Sequence, residues 1–489
     1  MTRHHPERLV GRRCSLWAKP NSQQQYSSTT DEFRKALTSR DPADDIEIQG
    51  RPLTFLSNIV GGRGSLRRKA IFGSQWLLIG SSFRAIVDLV KTAIFARILL
   101  PEDYGVVALA TMVIGLLESF SNIGIDILIL REKHLSREKL NAYWTLKFIR
   151  GIVLLILSWW LAIPLAKFYA TPELVHMVRF LGLTFFFNGC AGFGKEIRQR
   201  QMVFRKVAFV ESIMYALVFC IGLVFLFWFR NAWALVVYTV INAIALMVSS
   251  YILYPWLPRF RYNLSLIKTA SVFSTSIIAI NILNYFFVSF DRGTVGKLLG
   301  LEQLGYYAKA HFLALVPIAY FFNVISSVYL PAFNKVAKDI DRLRKIFIKT
   351  TLTIGTLSVF IGILCFVFSK QIVLLLYGER WLPLLPAFQI LIIFGVSKGI
   401  VTVCPPVFFI AGKPWLITFS AAVMALLFGG MCVPMTAAYG INGTAWSVVM
   451  AAVSAHAISI VLAFYLLTSR KYAAMDGFKG QVSSAQMVD

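Results

Sequence analysis

The sequence predicts an all-α integral membrane protein, with about twelve membrane-crossing helices arranged as two parallel-related six-helix bundles. Three observations carry the prediction. Apolar residues come in long unbroken runs. The connections between runs alternate between rich and poor in Lys and Arg. A short stretch near the first connection recurs two hundred residues later, together with the helices around it.

The runs fix the solvent. Hydrophobic residues make up 57% of the chain and charged residues 15%, and mean hydropathy is +0.67. A soluble domain carries about 45–50% apolar and about 25% charged residues. Runs such as "GIVLLILSWWLAIPLA" and "YALVFCIGLVFLFWF" are long enough to cross hydrocarbon, which takes about 20 helical residues. Their apolar positions are consecutive, which excludes the alternating strands of a membrane β-barrel. The helices read as 71–96, 104–130, 140–167, 175–194, 207–229, 231–254, 266–290, 304–330, 346–368, 382–403, 414–437 and 441–468. The fourth and tenth carry a charge and glycines and are the least regular.

The connections fix orientation. "REKHLSREK" (131–139), "KEIRQRQMVFRK" (195–206), "PRFRYNLSLIK" (258–268) and "KVAKDIDRLRK" (335–345) form a basic set. The intervening connections hold scattered cations only, such as Arg97, Lys167, Arg230 and Lys370. Cytoplasmic loops are the basic ones, so both termini are expected in the cytoplasm. The net charge of +25 is then mostly topology and points to anionic lipid headgroups, not nucleic acid.

The expected domains are a basic, mostly disordered cytoplasmic tail over 1–69, an N-terminal bundle over 70–254, a cytoplasmic linker over 255–265, a C-terminal bundle over 266–470 and a tail over 471–489. Residues 1–64 are polar without a periodic apolar face, as in disordered segments, and lack the apolar core of a signal peptide. The six cysteines show no CxxC and no spacing with His, so neither a disulfide nor a metal site is expected. Trp144, Trp228, Trp233, Trp256, Trp381 and Trp415 fall near span ends, the place of interfacial anchors.

The repeat fixes the arrangement. "RILLPEDYG" (97–105) aligns without a gap with "KLLGLEQLG" (297–305): Arg97 meets Lys297, Glu102 meets Glu302, Gly105 meets Gly305. A second echo pairs "KFYATPEL" (167–174) with "LLYGERWL" (375–382). Six helices separate the copies, so the halves share one orientation. Parallel repeats with a substrate path between them are a transporter arrangement. Gly300 and Gly305 suit a tight outer turn.

These stretches also carry a family resemblance. "FARILLPEDYGVVALA" with "SNIGIDILIL", and "FDRGTVGKLLGLEQLGYYAKAHFLALVPIAYFFNVISSVYLPAFNK", resemble the polysaccharide transporter branch of the MOP exporters, the Wzx-type flippases. The resemblance covers about 70–470. It implies a MOP/MATE-like fold and a flippase for undecaprenyl-diphosphate-linked oligosaccharide in a bacterial inner membrane, serving exopolysaccharide, capsule or O-antigen assembly. A polysaccharide polymerase or co-polymerase is the partner it implies.

Moving a diphosphate through hydrocarbon calls for cations facing a wet cavity, because an unpaired charge there is costly. Arg84, Asp88 and Lys91 sit at i, i+4 and i+7 of the first helix and share one face. They read either as a cationic surface oriented by Asp88 or as a self-neutralising Arg84–Asp88 pair. Lys309, Arg179 and Lys398 are further cavity candidates, although their long side chains can snorkel to an interface. Lys309 leads them, because Tyr306, Tyr307 and His311 surround it in sequence. Glu118 and Asp126 are candidates for proton or sodium coupling, or for cross-helix pairing with Arg84 or Lys91. Arg150 and Lys147 read as snorkelling to the cytoplasm, Asp291 and Arg292 as interfacial, and His456 as a packing histidine.

No GxxxxGK[ST] loop is present, so the chain is not itself an ATP-driven pump; no cofactor is expected beyond a coupling ion, H+ or Na+. "DID" at 339–341 is a weak metal motif on its own. The rival readings are a drug/cation antiporter of a related MOP branch, a membrane glycosyltransferase or polymerase, and a scaffold. The first calls for an acidic aromatic cavity, the second for carboxylates on a sizeable loop, and the third leaves the doubled bundle unexplained.

Overall fold

In the computed structural model, the residues described are 63–121, 124–132, 135–201, 203–261, 285–286, 289–316 and 340–468. All lie in one compact unit, Gln49–Asp489. Residues 1–62 of the expected first tail, most of helix 266–290, the end of helix 304–330 with Pro331, the expected tail 471–489 and Cys14 fall outside them; residues 63–69, expected in the first tail, are helical.

The first half runs α1 (Arg63–Ile98), α2 (Pro101–Ser121), α3 (Ile125–Arg131), α4 (Arg137–Phe168), α5 (Glu173–Cys190), α6 (Gly194–Arg200), α7 (Phe204–Phe229) and α8 (Trp233–Leu253). The second shows α9 (289–298) and α10 (301–316). It continues with α11 (Ile340–Val367), α12 (Ser369–Leu376), a 3₁₀ turn (Glu379–Leu384), α13 (Leu385–Val401), α14 (Cys404–Ile410) and α15 (Trp415–Thr468). Among the described residues, seven helices are long and apolar enough to cross a membrane, or eight if α5 and α6, bent by 44°, form one span. α15 is two spans in one: Gly440 takes φ 60°, ψ −147° and breaks it between the expected helices 414–437 and 441–468.

Two elements depart from expectation. The single helix over 104–130 is α2 and α3 instead, with Gly124 at φ 69° between them. That left-handed conformation cannot continue a right-handed helix. The connection after 368 is not plain loop, since α12 and the 3₁₀ turn fill it.

The two halves meet through the repeat itself. A Cβ on Gly105 would stand 1.9 Å from the Leu301 carbonyl oxygen, and a Cβ on Gly305 would stand 1.9 Å from the Pro101 carbonyl oxygen. α2 and α10 therefore cross backbone to backbone, each contributing the same glycine of its repeat. Gly305 lies within α10, so it serves this approach and not the turn; the turn belongs to Gly300, at φ 86°.

Flanking the crossing, Arg97 donates to the Leu375 carbonyl at 2.6 Å and Lys297 donates to the Phe168 carbonyl. Each half thus places a cation on a helix C-terminus of the other, where it meets the negative end of the helix dipole. Trp381 is fully buried here. Its indole N–H donates to the Ala96 carbonyl at 2.8 Å, with Tyr104 packed edge-on at 5.3 Å. It is a seam residue and not an interfacial anchor. Trp144 is also buried and donates to the Cys190 carbonyl, whereas Trp228 and Trp415 are exposed.

Candidate functional site

α1 and α7 lie side by side and run parallel. Gly80 lets Ala208 approach, with a 3.2 Å gap to its absent Cβ. Four and eight residues further along, the polar side chains pair in step. Arg84 Nη1 meets Glu211 Oε2 at 2.6 Å. Tyr215 donates to Asp88 Oδ1, and the same oxygen accepts from Lys91 Nζ at 2.5 Å. Lys195, from α6, meets the other oxygen of Glu211 at 2.8 Å. Lys91 continues over the Tyr238 ring of α8, 4.6 Å from its centroid.

The polar face expected on the first helix is thus assembled, with different partners. Arg84 does not pair with Asp88, because Glu211 reaches it from α7. Glu211, Tyr215 and Tyr238 were not singled out from the sequence. The signal for the first two was the same one that flagged α1: a carboxylate and a phenol at i, i+4 in an apolar run.

Lys309 is buried, with 9% exposure. Its Nζ sits 3.7 Å from the Tyr104 ring centroid and 5.6 Å from those of Phe312 and Tyr377, distances at which a ring face attracts a cation. Burial raises the Tyr377 phenol, in the turn after α12, so it stands by as a neutral ring. No ion pair to Lys309 occurs among the described residues. The charge bearing on it is that of Lys91. A cation from each half thus lies beside a tyrosine ring of the first half, Lys91 on Tyr238 and Lys309 on Tyr104, near enough for the first to act on the second.

The expected neighbours of Lys309 sit elsewhere. Tyr307 and His311 lie two residues to either side, about 200° around the helix, and face away. Tyr307 donates to Asp291 Oδ2 at 2.7 Å, and His311 lies by Tyr307 and Phe394. Tyr306 turns to Glu302 and Trp381. Asp291 is 1% exposed, hence internal and not interfacial, anchored by Tyr307 and by the Arg292 backbone N–H.

The remaining candidates stand apart. Arg179 lies over Trp159 at 4.9 Å. Lys398 is exposed, 5.7 Å from the Phe394 ring centroid; His456 bonds Ser397 beside it at 3.1 Å. Glu118 and Asp126 are exposed; both act on the charge of Arg150 and Asp126 also on that of Lys147, while Arg84 and Lys91 pair with Glu211 and Asp88. Arg150 itself donates to the Ser121 carbonyl, and the two line a groove of about 560 Å³ between α2 and α4 that is apolar along Leu116, Phe120, Val153 and Leu157. Among the described residues no cluster of His, Cys, Asp or Glu has metal-site geometry, and the five described cysteines are free thiols.

With the geometry in place, likenesses to known proteins become informative. The family model described as "Polysaccharide biosynthesis protein" matches residues 94–386. The lipopolysaccharide biosynthesis protein WzxC of Escherichia coli (strain K12) is 25% identical over 342 residues, which is 69% of this chain and 69% of that one. A multidrug resistance MATE family transporter of the MOP superfamily in an inward-facing conformation superposes with TM-score 0.62 at 14% identity, over 80% of this chain and 96% of that one. The lipid II flippase MurJ in an inward closed conformation does so with TM-score 0.60 at 14% identity, over 81% and 90%. These structural likenesses carry the fold: an all-helical membrane architecture of twelve helices in two bundles.

Proposed function

The chain belongs to the polysaccharide biosynthesis protein family, in its transporter branch, and from that membership we propose that it flips undecaprenyl-diphosphate-linked oligosaccharide repeat units from the cytoplasmic to the periplasmic leaflet of a bacterial inner membrane. It is a transporter and not an enzyme. The glycan passes between the two bundles, which alternate in opening to either side, with both termini in the cytoplasm. A polysaccharide polymerase or co-polymerase receives the product, and an H+ or Na+ gradient or downstream consumption drives the cycle.

The observation that supports this reading most is the approach of Lys91 and Lys309, from opposite halves, each beside a tyrosine ring. A diphosphate moving between halves meets a cation from each, and the aromatic rings around both cations shield them from lipid while the path is empty. Lys309, which has no ion pair among the described residues while Lys91 is paired to Asp88, opposes the drug/cation antiporter, whose cargo would be repelled there. Arg84 extends the basic path along α1, and the α2–α4 groove lined by Arg150 gives the prenyl tail a lateral track. Arg179 and Lys398 contact the glycan further along, while Asp88, Glu118 and Asp126 carry structural or coupling roles.

Reconstituted vesicles test this directly. A labelled undecaprenyl-diphosphate oligosaccharide in the inner leaflet becomes accessible to an external lectin when the protein is present, and stays protected when Lys309→Met replaces it. Equal accessibility with and without the protein contradicts the reading.

A further inference from the structure

Glu211 holds two cations with one carboxylate. Arg84 is on Oε2 at 2.6 Å and Lys195 on Oε1 at 2.8 Å. The side chains are graded in exposure: Glu211 10%, Arg84 30%, Lys195 47%. The carboxylate is the floor, and the cations are its accessible rim. A guanidinium fork beside an ammonium, open to water and backed by a buried carboxylate, is an anion site filled by the protein's own anion. Two cations unpaired at this depth would be costly, and Glu211 removes that cost while the site is empty.

We propose that Glu211 is a placeholder for the diphosphate, and that its competition for Arg84 and Lys195 sets an affinity threshold that a diphosphate headgroup clears and a monophosphate headgroup does not. This deepens the flippase reading and rests on it. An incoming anion must outbid a carboxylate already bonded at both oxygens. A diphosphate brings more charge and more acceptor oxygens than a monophosphate, and takes an Arg bidentately while a Lys serves as a point charge. A monophosphate, close to the carboxylate in charge, gains little by the exchange. The preference comes from the diphosphate's extra charge and oxygens; the built-in competitor lowers both affinities alike, so that at one concentration the diphosphate occupies the site and the monophosphate does not. Release is helped by the same device, since Glu211 returns to its cations as the headgroup leaves. Lys91 is the next cation, seven residues or about 10 Å further along α1. It is held by Asp88 in a second carboxylate–cation pair, so the diphosphate is handed onward towards Lys309.

The test uses the full chain in nanodiscs, with inorganic pyrophosphate and orthophosphate as probes in isothermal titration. The wild type binds pyrophosphate in preference to orthophosphate. Glu211→Gln binds both more tightly, each by about tenfold, so that orthophosphate occupies the site at concentrations that leave the wild type empty. Lys195→Gln, at an exposed position, weakens pyrophosphate binding. Adding Arg84→Gln to Glu211→Gln abolishes the gain. A folded Glu211→Gln protein with both affinities unchanged or weakened overturns the proposal. Should Glu211→Gln fail to fold, an unchanged pyrophosphate affinity in Lys195→Gln overturns it equally. If the proposal falls while leaflet transfer in vesicles persists, only the placeholder role is lost; if transfer is absent, the flippase reading falls as well.

Discussion

Gly105 and Gly305 occupy one crossing, each facing the carbonyl that opens the other's helix: Leu301 for the first and Pro101 for the second, both 1.9 Å from where a Cβ would lie. Two residues 200 positions apart in the chain are therefore neighbours related by the internal repeat. Both copies of the repeat build one seam. Arg97 and Lys297 extend the relation, each capping a helix of the opposite half.

Gly105→Ala and Gly305→Ala each force a methyl group against a carbonyl. Each is expected to lower stability by about 1–3 kcal/mol, the usual cost of overpacking. Because they act at one crossing, the double variant costs less than the sum. Thermal unfolding in detergent checks this; additive losses would mean two independent sites.

Arg97→Gln and Lys297→Gln remove equivalent caps. Each is expected to cost about 0.3–1 kcal/mol, with matching effects on the rate of glycan export. A variant pair differing several-fold would show that the two halves do not share the load at the seam.

Lys309→Met removes a buried cation and leaves its aromatic cage filled by a side chain of similar length. Stability is expected to hold or rise, since a buried charge is replaced by an apolar group, while transport is lost. Thermal melts and vesicle transfer measured on one preparation separate the two effects. Loss of stability with retained transport would make Lys309 a structural residue.

Arg84→Gln and Tyr215→Phe differ in kind. The first removes a cation from the path and is expected to reduce transport about tenfold or more. The second removes one hydrogen bond to Asp88, costs about 1 kcal/mol and leaves transport within a few-fold. Unchanged transport in a folded Arg84→Gln protein would remove α1 from the substrate path.

Most of the spans were legible because twenty apolar residues in a row have few alternatives. The shared face of Arg84, Asp88 and Lys91 was legible from helical spacing. Their partners were not, since Glu211 lies 127 residues from Arg84 and no local pattern announces a neighbour at that distance. The Lys309 cage was misread for the opposite reason: Tyr307 and His311 are close in sequence but lie across the helix, while Tyr104 and Tyr377 come from other elements. The break at Gly124 had a local signal, since Ser121, Asn122 and Asp126 flank the glycine, but the apolar runs on either side outweighed it.

The central claim, that this chain carries lipid-linked oligosaccharide across the membrane, is tested most directly in a native host lacking it. Lipids are extracted, and the oligosaccharide-diphospholipid is quantified with and without a periplasmic probe applied to intact cells. The account predicts that a complete repeat unit accumulates shielded from the probe while surface polysaccharide falls. Normal surface polysaccharide with reduced efflux of cationic dyes would contradict it.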